Sequence, residues 1–216
     1  MKYQNIFFDM DGTITDSGYA IMSTAQYALD HFGYHNQPEE KLRKFVGPSL
    51  MDSFQNIYGF SEKDAAEATR IYRQLYEAGR MYEVTVYPGI ESLLHECQKA
   101  GFNSFVVTSK VEDSAQLILN KLGIFDYFKA VIGPARNDPS SNKERLINRA
   151  IDEYDLDRQK CIMVGDTHFD IDGAHRSGID SIAVTYGYGD SESIKKAGPT
   201  YFASDPHEIL NILLNS

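Results

Sequence analysis

Cysteine, positive charge and long apolar runs are all scarce in this 216-residue chain. Of its two cysteines, Cys97 falls in an apolar helical pattern and Cys161 opens the run Cys161-Ile162-Met163-Val164. Both therefore read as core thiols rather than as a disulfide or a metal-binding pair. Such usage is expected of a protein kept in a reducing cytoplasm. Lysine and arginine number 21 against 31 aspartates and glutamates, a formal net charge of -10. Clustered basic side chains are what a polyanion requires, so a nucleic acid polymer is not an expected partner. A small phosphorylated molecule is allowed, because one local lysine and a metal ion outweigh a distant field. No apolar stretch approaches the length of a membrane span, and Asp9 interrupts the N-terminal apolar run with a charge no signal peptide would place there. Neither a repeat nor a low-complexity segment is visible, and no obligate protein partner is inferred.

What is present is an alternation of strand and helix signals, which predicts an α/β fold with a doubly wound parallel sheet. Hydrophobic residues make up 42% of the chain, enough for one substantial core and a small accessory unit. Short buried strands are predicted at Asn5 to Phe8, Ser104 to Thr108, Ala130 to Ile132, Cys161 to Gly165 and Ser181 to Val184. Pro88-Gly89 opens a helix whose apolar residues Ile90, Leu93, Leu94 and Cys97 recur at helical spacing, and Gly101 can close it. A second helix runs from about Val111 to Leu122, with Ala115, Ile118, Leu119 and Leu122 on one face and Gly123 at its end.

The alternation fails between Asp16 and Val84, where helical signals stand with no convincing strand. Ile21, Met22, Ala25, Leu29 and Phe32 repeat at helical spacing after an Asp16 or Ser17 cap, and a longer pattern follows Ser61 through Ile71, Leu75 and Gly79. A small helical bundle over 16–84, inserted into a core of 1–15 and 85–216, is the economical reading. Helices packed on the sheet as a rigid layer are the plainer alternative.

Phe8-Asp9-Met10-Asp11-Gly12-Thr13 ends the first apolar run and sets two carboxylates at the mouth of a buried strand, where ligands of open α/β sheets sit. Alone, the segment is compatible with an Asx-type turn of solvated acids. Partner motifs follow in order, however: Val106-Val107-Thr108-Ser109, Lys143 at a helix start, and Gly165-Asp166-Thr167-His168-Phe169-Asp170. With these four the chain resembles the haloacid dehalogenase-like superfamily, whose motifs are DxDGT, a Thr or Ser after the second core strand, a Lys, and GDxxxD. Within it, the chain looks most like the phosphoglycolate phosphatase and 5'-nucleotidase-like branch. Phe8 to Ser17, Phe45-Val46-Gly47-Pro48, Tyr87-Pro88-Gly89, Thr108-Ser109-Lys110 and Tyr186-Gly187-Tyr188-Gly189 carry that likeness. It implies that the 16–84 segment is a mobile cap that closes over the site, excludes water and recognises the substrate.

The chemistry these groups can perform is phosphoryl transfer. A phosphate monoester repels an anionic nucleophile, so a carboxylate needs a divalent cation and a cationic side chain beside it. Asp9 is the candidate nucleophile, forming an aspartyl-phosphate, and Asp11 the acid that protonates the leaving oxygen and then takes a proton from water. Thr108 can donate to a phosphoryl oxygen and Lys143 can bridge nucleophile and phosphate. Mg²⁺ wants few carboxylates with hard oxygens, which matches Asp9, Asp166 and the backbone carbonyl of Asp11. The resemblance puts Asp170 one step out, holding Lys143 or a metal-bound water, with direct ligation as the alternative.

Substrate contact is expected from Thr108, Ser109, Lys110 and Lys143. In this likeness many relatives have Lys-Pro where Lys143-Glu144 stands, and the preceding stretch from Gly133 to Asn142 is irregular, so Lys129 and Arg145 compete for the motif lysine. Asp172 and His168 read as solvated or supporting residues, and Lys41, Arg43 and Lys44 as a solvated helix face. The 186–189 segment reads as a loop near the rim. The expected function is a Mg²⁺-dependent phosphomonoester hydrolase acting on a small phosphorylated metabolite, phosphoglycolate or a nucleoside 5'-monophosphate. A phosphotransferase resembling β-phosphoglucomutase is the enzymatic alternative, though that branch commonly has Val where Thr13 stands. A non-catalytic ligand-binding or scaffold protein is the alternative of a different class.

Overall fold

A computed structural model describes residues 1–136, 138 and 142–216. Asn137, Pro139, Ser140 and Ser141, part of the irregular stretch noted above, lie outside the described residues. Strand β1 (Asn5–Phe8) is buried along its whole length, as a β-branched and aromatic run covered on both faces must be. It leads into β2 (Thr15–Asp16) and then into helices α1 (Gly18–Asp30), α2 (Glu39–Arg43), α3 (Leu50–Tyr58) and α4 (Glu62–Glu77). The chain returns through β3 (Thr85–Val86), α5 (Ile90–Lys99), β4 (Asn103–Val107), α6 (Glu112–Lys121), β5 (Ala130–Ile132) and α7 (Lys143–Glu153). It ends with β6 (Cys161–Gly165), α8 (His168–Arg176), β7 (Asp180–Val184), α9 (Ser191–Ala197), β8 (Tyr201–Ala203) and α10 (Pro206–Asn215).

Six strands form one parallel sheet in the order β5-β4-β1-β6-β7-β8. Strand β1 is central, with Phe8 level with Val106 of β4 on one side and Val164 of β6 on the other. The winding reverses at β1 and β6, so their carboxyl ends open the crevice in which such sheets bind ligands. Side chains alternate across the sheet. Ile6, Phe8, Val106 and Val164 join the cluster that contains Leu93, Leu119 and Ile209. Phe7, Phe105 and Met163 join Leu146, Ile147 and Ala174 on the other face.

Helices α1 to α4 carry an aromatic knot of their own. Phe45 and Phe54 have ring centroids 5.0 Å apart, Phe32 and Phe60 4.8 Å, and Phe54 stacks on Phe60 at 5.8 Å. These rings are continuous with the cluster on the Phe8 face of the sheet. Serine caps open two of the helices: Ser49 accepts from Asp52 N and Ser61 from Asp64 N. At α1 the cap differs from expectation. Ser17 stands at the N-cap with no side-chain cap bond, its buried Oγ has no hydrogen-bond partner among the described residues, and Gly18 N donates instead to the Tyr188 hydroxyl at 3.2 Å.

The predicted strands are present to within a residue, but three short ones were not legible. Strands β2 and β3 pair antiparallel, Thr15 opposite Val86 and Asp16 opposite Thr85, at the two ends of the helical segment. Two residues are too few to show a period of two. The edge strand β8 has only three residues and a mixed burial pattern, so it carries no continuous apolar run.

Both thiols are buried, Cys97 fully and Cys161 to within 1%. Burial pushes the Cys97 thiol up to about 12 and the Cys161 thiol up to about 11. The thiolate is the reactive form. A disulfide-exchange reagent at pH 8 is therefore expected to modify neither cysteine in the native protein and both within minutes in guanidinium. Release of one equivalent from the native state at the denatured rate would show that a thiol is accessible.

Candidate active site

The carboxyl ends of three adjacent strands supply the site. Asp9 follows β1 and its N–H donates to Val164 O at 2.8 Å, which extends the ladder by one residue and anchors the backbone under the side chain. Thr108 follows β4 and donates through its N–H to Ile132 O at 3.0 Å. Asp166 follows β6. After Asp9 the chain must turn, and Gly12 takes φ +91°, a conformation costly for a residue with a Cβ. A Cβ there would also collide with the Asp166 carboxylate.

Lys143, the first residue of α7, reaches in from the other side of the crevice. Its ammonium makes three contacts: Asp9 Oδ1 at 2.6 Å, Asp170 Oδ1 at 2.8 Å and Val107 O at 2.9 Å. The contacts to Asp9 and Val107 are hydrogen bonds, and that to Asp170 is an ion pair. Of the residues competing for this place, Lys143 alone holds these contacts. Arg145, exposed, lies 3.6 Å from the half-buried Asp138. Asp170 is itself fixed from behind, because its Oδ2 accepts from Thr167 N at 3.0 Å and Thr167 Oγ1 at 2.8 Å in the capping box that starts α8.

Asp166 is 1% exposed. Its Oδ2 accepts the Tyr188 N–H at 2.7 Å and its Oδ1 the Thr13 hydroxyl at 3.3 Å. Asp9, Asp166 and Asp170 each bring a carboxylate oxygen within 4.8 Å of the others, all buried. Burial drives the Asp9 carboxyl up to about 7; Asp170 and Asp11 add to that and Lys143 opposes it. Burial, then Asp170 and Asp9, hold Asp166 well above the usual carboxylate range. Three clustered carboxylates against one ammonium leave an excess of negative charge. Buried hard oxygen donors in such an arrangement fit a small divalent cation.

The Asp11 carboxylate stands apart from that cluster. Its Oδ2 is 3.1 Å from Lys110 Nζ, and Lys110 Nζ donates to the Tyr76 hydroxyl at 2.7 Å and lies 4.7 Å from that ring's centroid. Asp11 Oδ1 is buried with no hydrogen-bond partner among the described residues. Thr108 Oγ1 accepts from Lys110 N at 3.1 Å. Asp9, Asp11, Thr108, Ser109 and Lys110 floor a cavity of about 130 Å³, and Ile21, Phe45, Tyr72 and Tyr76 from the helical segment roof it. Beside it opens a cleft of about 1070 Å³ reaching Ser109, Lys143, His168 and Phe169 on the core side and Arg43, Lys44 and Asn56 on the other.

The sequence-predicted residues thus converge, with two corrections. Arg43 is not part of a merely solvated helix face: it donates through Nε to Tyr188 O at 3.2 Å and through Nη2 to Gly187 O at 3.0 Å. The 186–189 loop is more than rim, since a Cβ on Gly187 would collide with Asp166 Cβ and the loop amide holds that carboxylate. Tyr76 was missed altogether. It sits in a regular helical pattern and nothing local distinguishes it from core. His168 is packed on Phe169, centroids 4.0 Å apart, and Asp172 is partly buried outside the acid cluster.

Comparison with known proteins agrees with this geometry. The sequence model of the haloacid dehalogenase-like hydrolases matches residues 6–184. The chain is 34% identical over 213 residues to a 5'-nucleotidase of Pseudomonas aeruginosa, covering 99% of this chain and 96% of that one. It is 30% identical over 222 residues to a phosphoglycolate phosphatase of Vibrio cholerae, covering 98% and 97%. The crystal structure of a protein described as a predicted phosphatase from Clostridium acetobutylicum superposes with a TM-score of 0.96 at 36% identity over the whole of both chains.

The acid cluster carries a stability cost that can be measured. Asp166→Asn keeps an acceptor for the Tyr188 amide and removes a carboxyl whose ionised form burial and the neighbouring acids disfavour. At neutral pH in chelator it is expected to stabilise the fold, read as a rise in melting midpoint. With millimolar divalent cation the gain should shrink or reverse, because only the wild type recovers the binding energy. A lower midpoint for the variant in chelator would show that the cluster is not electrostatically strained.

Proposed function

The chain belongs to the haloacid dehalogenase-like hydrolases, and on that premise we propose that it is a Mg²⁺-dependent phosphatase that cleaves small phosphomonoesters through an aspartyl-phosphate on Asp9. The observation that carries the reading is the contact of the Lys143 ammonium with Asp9 inside a buried carboxylate cluster. A nucleophile held against a cation, at the carboxyl end of the central strand, is what attack on an anionic phosphate requires. The substrates named for the relatives, nucleoside 5'-monophosphates and phosphoglycolate, are the first to test here.

In this reading Asp9 attacks phosphorus in line, forming the Asp9 O–P bond as the ester P–O bond breaks. Asp11 gives its proton to the departing oxygen and the alcohol leaves. Water then attacks the aspartyl-phosphate, Asp11 takes the proton, the Asp9 O–P bond breaks and inorganic phosphate is released. Lys143 holds Asp9 in place and sets positive charge beside the phosphoryl oxygens, while Thr108, Ser109 and Lys110 supply donors from the cavity floor. Asp9, Asp166 and the Asp11 carbonyl would hold Mg²⁺, which when bound supplies the charge that lets two anions approach. Asp170, with Oδ2 held by Thr167 and Oδ1 at ion-pair distance from Lys143, acts as the support of Lys143. The 16–84 segment serves as the cap, a role supported by the β2–β3 pair at its two ends and by the rings it sets over the cavity. Buried free thiols support a place in a reducing cytoplasm, and no helix among the described residues is long and apolar enough to cross a membrane.

Asp9→Asn preserves shape and removes the nucleophile. Its kcat on 4-nitrophenyl phosphate and on a panel of phosphorylated metabolites should fall roughly 10⁴-fold or more. Wild-type activity should vanish in chelator and return with Mg²⁺. Substantial turnover by verified, folded Asp9→Asn protein would overturn the covalent route, and full activity in excess chelator would remove the metal.

A further inference from the structure

Asp166 does not stand on its own backbone alone. The peptide group between Gly187 and Tyr188 is shared by two partners: its N–H donates to Asp166 Oδ2 at 2.7 Å and its C=O accepts from Arg43 Nη2 at 3.0 Å. Because a peptide group is planar, a hold on the oxygen fixes the direction of the N–H on the other side. A charged donor on the oxygen also strengthens the bond the N–H makes. Arg43 takes a second grip on the next carbonyl, Tyr188 O at 3.2 Å, with its guanidinium 5.1 Å from the Tyr188 ring centroid. This two-point contact suits the fixed fork of arginine.

The loop has no slack in which to absorb the loss of that grip. A Cβ on Gly187 would strike Asp166 Cβ, and one on Gly189 would strike the Asp166 carbonyl oxygen. The Tyr186 hydroxyl donates to Thr13 O at 2.9 Å, and the Tyr188 hydroxyl bonds to Asp16 at the start of the helical segment. Arg43 closes the circuit from that segment's second helix.

We propose that Arg43 is a positioning residue for cation binding: by gripping the 187–188 peptide from the helical segment, it sets the orientation of Asp166 and so couples docking of that segment to capture of the divalent ion. The inference rests on the reading of Asp166 as a cation ligand. Coupling of this kind is reciprocal, so a bound ion also favours the docked arrangement.

Removing a positive charge near a cation site tightens binding if charge alone matters, whereas removing a positioning contact weakens it. The two explanations therefore differ in sign. The experiment is a titration of the metal-free protein with Mn²⁺, free ion being read by its electron paramagnetic resonance signal, with no substrate present. Loss of a contact behind a metal ligand costs about 10–100-fold in affinity. Arg43→Ala is expected at the lower end, roughly tenfold weaker. Arg43→Lys, which keeps the charge and loses the fork, should fall between the variant and wild type. Lys44→Ala, at the exposed neighbouring position, reads the charge effect alone and should leave affinity unchanged or slightly tighter. Unchanged or tighter Mn²⁺ binding by Arg43→Ala, or a loss equal to that of Lys44→Ala, would overturn the inference. Wild-type protein that binds no Mn²⁺ would instead remove the reading of Asp166 on which it rests.

Discussion

One ammonium facing three buried carboxylates is the constraint around which this molecule is arranged. Burying such charges is costly unless each finds a partner, and the structure spends its local geometry on supplying them. Lys143 can reach Asp9 only because α7 begins at that residue and Gly173 of α8 leaves room for its side-chain stem, where a Cβ would lie 2.8 Å from Lys143 Cβ. Asp170 can hold Lys143 because Thr167 caps α8 and occupies its other oxygen. Lys143 also donates to Val107 O, at the end of the strand next to β1. What these neighbours leave uncompensated is negative charge, which suits the site to a divalent cation.

The helical segment touches both halves of this arrangement. On one side Tyr76 of α4 meets Lys110, which meets Asp11. On the other Arg43 meets the loop that meets Asp166. The proposed acid and the proposed cation ligand are thus each one residue removed from the same accessory unit. These helices share apolar contacts with the core and add polar contacts at these two points. The small cavity and the broad cleft share Gly47, Pro48, Ser49 and Ser109 in their linings.

Legibility in the sequence followed the range of the interactions. The buried strands, the glycine-closed helices α5 and α6 and the serine-capped α4 were all readable, since each depends on residues within one turn or one strand of itself. Asp9, Asp11, Thr108, Lys143, Asp166 and Asp170 could be picked out as a set because they fall in four ordered motifs that resemble those of a known family, three of them directly after buried strands. Strands β2 and β3 were not readable, because their evidence is a pairing between residues some seventy positions apart.

Hydrophobic periodicity and turn chemistry act over a few residues, so the sequence by itself determined the fold class, and the order of its motifs, through their resemblance to a family, which acids to expect at the centre of the sheet. Tertiary structure alone decided who stands behind those acids. Tyr76 looks like core in a helical pattern, Arg43 like a solvated cation, and Tyr186 to Gly189 like a loop of adaptable residues; each gains its meaning from a hydrogen bond to a residue more than twenty positions away. Such bonds are set by where two separately folded segments come to rest against each other, and no pattern within either segment encodes that distance.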